Sequence, residues 1–114
     1  MHVVVIGAGE VGLHIAGFLS REGQKVVLIE RDPDRLAKAA EEIDALTLAG
    51  NGASKQVLSE ANVNEADMVI AVTDSDEVNI VACMAAKRVG VPLTVARIRN
   101  SDYLDSTDAV SSEF

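Results

Sequence analysis

Apolar positions in this chain fall into short unbroken runs, separated by longer stretches in which they recur at a helical step. Val3 to Ile6, Val26 to Ile29, Met68 to Thr73 and Leu93 to Ile98 are the runs, and Ala45 to Ala49 is a weaker one. Runs of four to six residues without polar alternation read as strands buried on both faces. Between them, Val11, Ile15, Phe18 and Leu19 recur at three- and four-residue steps. Leu36, Ala39, Ala40 and Ile43 mark a second helix, and Val78, Val81, Ala82 and Ala85 mark one from about Ser75 to Arg88. A short helix from Ser54 to about Ala61 turns Val57 and Leu58 inward. Punctuation agrees with these limits. Gly23 stops the first helix, and Asp32-Pro33 supplies a cap and a first helical residue for the second. Gly50-Asn51-Gly52 ends the third strand, and Gly90 with Pro92 ends the last full helix.

Strand and helix therefore alternate along the whole length. That order predicts an α/β fold with a doubly wound parallel sheet, Rossmann-like, as a single domain over residues 1–98. Right-handed crossovers favour the strand order 3-2-1-4-5, with a ligand over the carboxyl ends of strands one and four, where the order reverses. After Arg99 the apolar pattern fades, so residues 99–114 read as a truncated tail or partial helix.

Composition narrows the function. The 114 residues are 48% apolar but only 3% aromatic, so the core is built from Val, Ile, Leu and Ala. A net charge of −8 argues against nucleic acid as a partner. It leaves a nucleotide possible, since that needs only a local cradle of N–H groups. Cys83 is the one cysteine, which fits a reducing, cytoplasmic compartment, and its apolar helical setting reads as core packing. His2 and His14 stand apart from each other and from any cysteine cluster, so no metal site is expected.

The chemistry concentrates at strand ends. Gly7-Ala8-Gly9-Glu10-Val11-Gly12 matches G-x-G-x-x-G, with a strand before it and a helix after. Gly7 makes the tight turn, Gly9 lets the backbone approach a pyrophosphate, and Gly12 lets the helix lie close to the strand. A turn that binds nothing is the plainer reading, and the flanking elements count against it. Glu30 ends the second strand, where an acid accepts hydrogen bonds from an adenosine ribose and repels a 2′-phosphate. NAD or NADH is thus favoured over NADP, with Arg31 able to soften the preference. Asn51 reads equally as a turn residue and as an adenine contact. Thr73 and Asp74 lie at the reversal point, although helix capping alone explains much of their acidic loop. Arg97 interrupts an apolar strand, and a charge there needs a partner: ligand phosphates, or an ion pair with Asp74 or Glu30. Glu10, inside the turn, is mildly unfavourable near phosphates unless it points outward or engages a ribose or a cation.

Taken together, Gly7 to Gly12, Ile29-Glu30, Gly50 to Gly52, Ala71 to Asn79 and Ala96 to Arg99 resemble the N-terminal nucleotide-binding domain of potassium-transport regulators, the RCK or KTN domain. The subunits of Trk potassium-uptake systems are the nearest in kind. The specific part is T-x-x-D-E-x-N at Thr73, Asp76, Glu77 and Asn79, supported by Ala96-Arg97-Ile98-Arg99. The resemblance covers nearly the whole chain. It implies a cytoplasmic regulatory domain that binds NAD(H), or ATP or ADP in some members, and that gates a membrane potassium transporter from its inner face. By motif position it places nucleotide contacts on Gly7 to Val11, Glu30, Thr73, Asp74 and Arg97, and more loosely on Asn51. Such regulators are much longer, so the chain reads as an excised domain or an unusually short protein.

Two further readings compete with a regulatory module. A cofactor domain of an NAD-dependent oxidoreductase needs a substrate domain and an acid–base pair, and neither is visible here. A nucleotide-stabilised assembly domain needs only an interface. Ile80, Val81, Cys83, Met84 and Ala85 give the last helix more apolar surface than a one-sided stripe requires, so a homo-oligomer, first a dimer, is expected.

Overall fold

The structure is a computed structural model that describes residues 1–104. Its elements follow the alternation read from the sequence: β1 (His2–Ile6), α1 (Glu10–Arg21), β2 (Lys25–Glu30), α2 (Pro33–Glu42) and β3 (Leu46–Ala49) form the first half. The second half is α3 (Lys55–Glu60), a 3-10 turn (Val63–Glu65), β4 (Met68–Ala71), α4 (Asp76–Arg88), β5 (Leu93–Ala96) and one helical turn, α5 (Ser101–Leu104). Residues 105–114, the rest of the expected tail, lie outside the described residues.

All five strands are parallel, in the order β3-β2-β1-β4-β5. Central β1 pairs Val5 with Leu28 on one side and with Ile70 on the other. The side chains of each strand alternate between two cores, which is why the strands read as unbroken apolar runs. Val3, Val5, Val26, Leu28, Ile70 and Val72 face the layer of α1 and α2. Val4, Ile6, Val27, Ile29, Val69 and Ala71 face the layer of α3 and α4. Cys83 belongs to this second core, where burial pushes its thiol up to about 11 and keeps it protonated.

The helices depart from expectation in which residues they bury. Val11 and Phe18 of α1, Ala40 of α2 and Val81 of α4 are exposed. The buried positions are small, Gly12, Ala16 and Gly17 in α1, Ala39 in α2, and Ala82, Cys83 and Ala86 in α4, with Asn79 of α4 the one larger and polar exception among these three helices. Close approach to the sheet selects side chains by size, and larger apolar residues are left to flank the contact. A β-carbon on Gly12 would stand 1.7 Å from the Gly7 carbonyl oxygen.

Candidate functional site

Three chain segments turn away from the sheet at the same edge. β1 ends at Ile6, and Gly7 adopts φ +107°, a left-handed conformation that glycine takes without strain. The chain then enters α1 with Gly9 as the N-cap residue and no side-chain cap. The first N–H groups of α1 are therefore left for another acceptor. β2 ends at Glu30 and β4 at Ala71, and the loops that follow wall a cleft of about 370 Å³.

Of the candidate residues, the cleft gathers Gly7, Gly9, Glu30, Asn51, Thr73 and Asp74, with Arg31. Ala8 and Glu10 line an adjoining shallower groove. Val11 points to solvent, and Gly12 is buried beneath the turn. Arg97 is not among the lining residues. Its Nη2 donates to the Val72 and Thr73 carbonyls at 3.0 and 2.8 Å and lies 3.7 Å from Asp74. Arg97 follows β5, which ends at Ala96 rather than at Ile98 as expected. Its charge is met by the expected ion pair with Asp74 and by two carbonyl oxygens that were not expected.

Glu30 is 9% exposed and already bonded. Its Oε1 accepts from the Ala8 N–H and its Oε2 from the Asp32 N–H, both at 2.7 Å. The carboxylate therefore ties the glycine turn to the start of α2. An ionised carboxylate offers about four lone-pair sites, so roughly two remain for ligand hydroxyls. Asn51 accepts at Oδ1 from the Ala53 N–H at 2.8 Å, which makes it a turn residue that also lines the cleft. Its amide nitrogen is what it can offer a base. At Gly9 a β-carbon would meet only Arg35 Nη1, at 3.6 Å. The space beside this glycine is cleft rather than core.

The T-x-x-D-E-x-N run has a structural basis. Asn79 is fully buried. Its Oδ1 accepts from the Thr73 N–H and hydroxyl at 2.9 and 2.7 Å, and its Nδ2 donates to the carbonyls of Thr73 and Arg97 at 3.2 and 2.9 Å. Asp76 accepts from the N–H groups of Arg99, at 3.1 Å, and Asn100, at 2.7 Å. Glu77 accepts from the Tyr103 hydroxyl at 2.7 Å. Ser75 caps α4, accepting from the Val78 N–H. The run therefore joins the cleft wall at Thr73 to the segment leaving β5.

Two residues at this edge are not among the candidate site residues, although Arg99 belongs to the Ala96–Arg99 motif. Arg35, in the first turn of α2, comes within 3.5 Å of Asp74 Oδ2, and Arg99 lies 3.0 Å from the other carboxylate oxygen, Oδ1. The Arg99 guanidinium, helped by Arg35, holds the Asp74 carboxyl below the usual carboxylate range. Among the described residues no three His, Cys, Asp or Glu side chains gather as a metal site, and no helix is long and apolar enough to cross a membrane.

A five-stranded parallel sheet whose order reverses beside a glycine turn defines a Rossmann-like α/β domain. The chain belongs to the TrkA-N domain family, whose model matches residues 3–111. It is 41% identical over 103 residues to a Trk system potassium uptake protein TrkA homolog of Methanothermobacter thermautotrophicus, covering 90% of this chain and 48% of that protein. It is 49% identical over 113 residues to a Trk system potassium uptake protein homolog of Methanosarcina mazei, covering 93% and 27%. The chain thus spans about half the length of the first relative and about a quarter of the second. The RCK domain of GsuK superposes with a TM-score of 0.77 at 25% identity, over 96% of this chain and 23% of that one. Two structures share the fold at lower identity. The Kef C-terminal domain of Shewanella denitrificans in its AMP-bound form gives 0.79 at 19%, over 97% and 67%. The GsuK channel bound to NAD gives 0.77 at 17%, over 96% and 20%.

Proposed function

We propose that this chain is a regulatory module that binds NAD or NADH in the cleft and conveys occupancy to a membrane potassium transporter subunit. In this reading it works in the cytoplasm, peripheral to the inner face of the membrane through that partner. The observation that carries the nucleotide assignment is Glu30, fixed against the glycine turn by two N–H groups with acceptor capacity left over. The uncapped start of α1 faces the pyrophosphate, Glu30 takes the adenosine ribose, and Asn51 takes the base. Thr73 and Asp74 stand by the second half of the ligand, with Arg97 behind them. The cofactor supplies no redox chemistry here; its binding is the signal. Membership of the TrkA-N family and the names of the relatives support the link to potassium uptake.

Calorimetry of the chain against NAD, NADH, NADP, ATP and ADP tests the reading. NAD or NADH is expected to bind more tightly than NADP, because a 2′-phosphate would meet the Glu30 carboxylate. A dissociation constant for NADP equal to or below that for NAD would overturn the ribose assignment. ATP or ADP binding in preference to NAD would make the module an adenine-nucleotide sensor, a reading that the AMP-bound Kef domain keeps in view. Steady nicotinamide turnover with a small alcohol, aldehyde or hydroxy acid would return it to the oxidoreductases.

A further inference from the structure

We propose that Arg35 is the phosphate-recognition residue of the cleft, and that Asp74 is a positioning residue that holds it over the glycine turn and gives it up to phosphate. The proposal rests on the reading of the cleft as a nucleotide site. Its basis is where the guanidinium lies. Arg35 stems from the first turn of α2, whose start is pinned to Glu30 through the Asp32 N–H. From there it crosses the rim, so that Nη1 is 3.6 Å from the place of a Gly9 β-carbon and 3.5 Å from Asp74 Oδ2. It lines both the cleft and the adjoining groove. A positive fork thus lies over the backbone that the sequence motif marks for a pyrophosphate.

Asp74, by contrast, is an unsuitable ligand for phosphate and a suitable rival to it. It lines the same cleft and is 69% exposed in its side chain. Its charge would repel a phosphate if it were not neutralised, and Arg35, Arg97 and Arg99 surround it. The Arg35 contact is the looser of its two hydrogen bonds to arginine, 3.5 Å against 3.0 Å for Arg99. A charge-assisted pair at its optimum lies near 2.7–2.9 Å, and a guanidinium meets a phosphate with two parallel N–H groups. Exchange of the carboxylate for a phosphate therefore improves the bonding of Arg35. It costs Asp74 little, because Arg97 and Arg99 remain beside it. No bond is made or broken covalently; one anion replaces another on one cation.

Titrations of the chain with NAD, ADP, AMP and adenosine separate this proposal from the reading beneath it. Arg35→Gln is expected to weaken NAD and ADP roughly ten- to a hundred-fold, the worth of a charged hydrogen bond, and to leave adenosine unchanged. Asp74→Asn is expected to tighten NAD and ADP roughly two- to five-fold, the worth of an exposed ion pair removed from competition. A merely structural Asp74 would give loosening or no change. As a second readout, inorganic pyrophosphate should shift the Arg35 Nε–H resonance of the wild type, and should do so at lower concentration in Asp74→Asn. Unchanged NAD affinity in Arg35→Gln, or unchanged or weaker NAD binding in Asp74→Asn, overturns the proposal while the nucleotide site stands. Failure of the wild type to bind any of the four ligands overturns both.

Discussion

At Gly9 a β-carbon would touch nothing but a movable arginine, whereas at Gly12 it would collide with the Gly7 carbonyl. The two glycines of one motif therefore answer to different demands. Gly12 serves the fold, because α1 could not lie on β1 with any side chain there. Gly9 has an ordinary φ of −71°, so its lack of a side chain serves the space beside it. Gly9→Val is expected to abolish NAD binding while the thermal midpoint stays within a few degrees of the wild type. The loss of a tolerated N-cap residue costs about 1 kcal/mol at most. Calorimetry and a melting curve on the same sample check both halves, and wild-type affinity in the folded variant would place the pyrophosphate elsewhere. The spacing of the glycines was legible because the turn demands it. Glu30 was legible by position, but its bonds to Ala8 and Asp32 were not, since both donors are backbone groups with no side-chain signature. Arg35 was illegible for a related reason. Its sequence neighbours make it a solvated helix residue, and only the packing of α2 on β2 and β3 brings its guanidinium to Gly9 and Asp74.

At the scale of elements, α4 is the connector. Its N-terminal turn carries Asp76, Glu77 and Asn79, and their partners are Thr73 on one side and Arg97, Arg99, Asn100 and Tyr103 on the other. The motif was legible as a string, while its purpose needed the segment after β5 to be seen folded back on the helix. Asn79→Ala would leave the Thr73 N–H and the Arg97 carbonyl without their partner. Each such group costs about 1–3 kcal/mol, so the two together predict a loss of about 2–6 kcal/mol in urea unfolding. A loss below about 1 kcal/mol would show that water replaces the amide. Asp76 makes a pH prediction. The N–H groups of Arg99 and Asn100 hold its carboxyl below the ordinary value of 3.8. A depressed folded value means that this tie is whole above the ordinary carboxylate range and is lost as pH falls through the lower folded value. The amide resonances of Arg99 and Asn100 should therefore titrate with a midpoint below 3.8. A midpoint at or above that value would contradict the bonds.

For the whole molecule, the topology was readable because each crossover allows one handedness, and the glycine turn marks the first strand of the sheet. Which large apolar side chains stay outside was not readable. Periodicity places Val81 with the buried face of α4, yet the sheet accepts Ala82, Cys83 and Ala86 and leaves Val81 at 48% and Met84 at 43% exposure. A second apolar area lies on the other side of the sheet. There α1 packs on β1 and β2, and α2 on β2 and β3. Leu93 and Val95 of the edge strand β5 stay about half exposed. Apolar surface in two places favours contact with other chains. Because Val81 and Met84 are three residues apart on one helix face, a two-fold pairing of α4 with its copy would bring the four side chains together. The chain is therefore expected to self-associate, first as a dimer. Sedimentation over a range of concentrations should show a mass that rises toward twice that of the chain. Val81→Glu with Met84→Glu should return the monomer without loss of NAD affinity, since neither residue lines the cleft. A monomer at every concentration, with and without NAD, would refute the α4 interface. Association that survives the double substitution would move the contact to the uncovered face of β5.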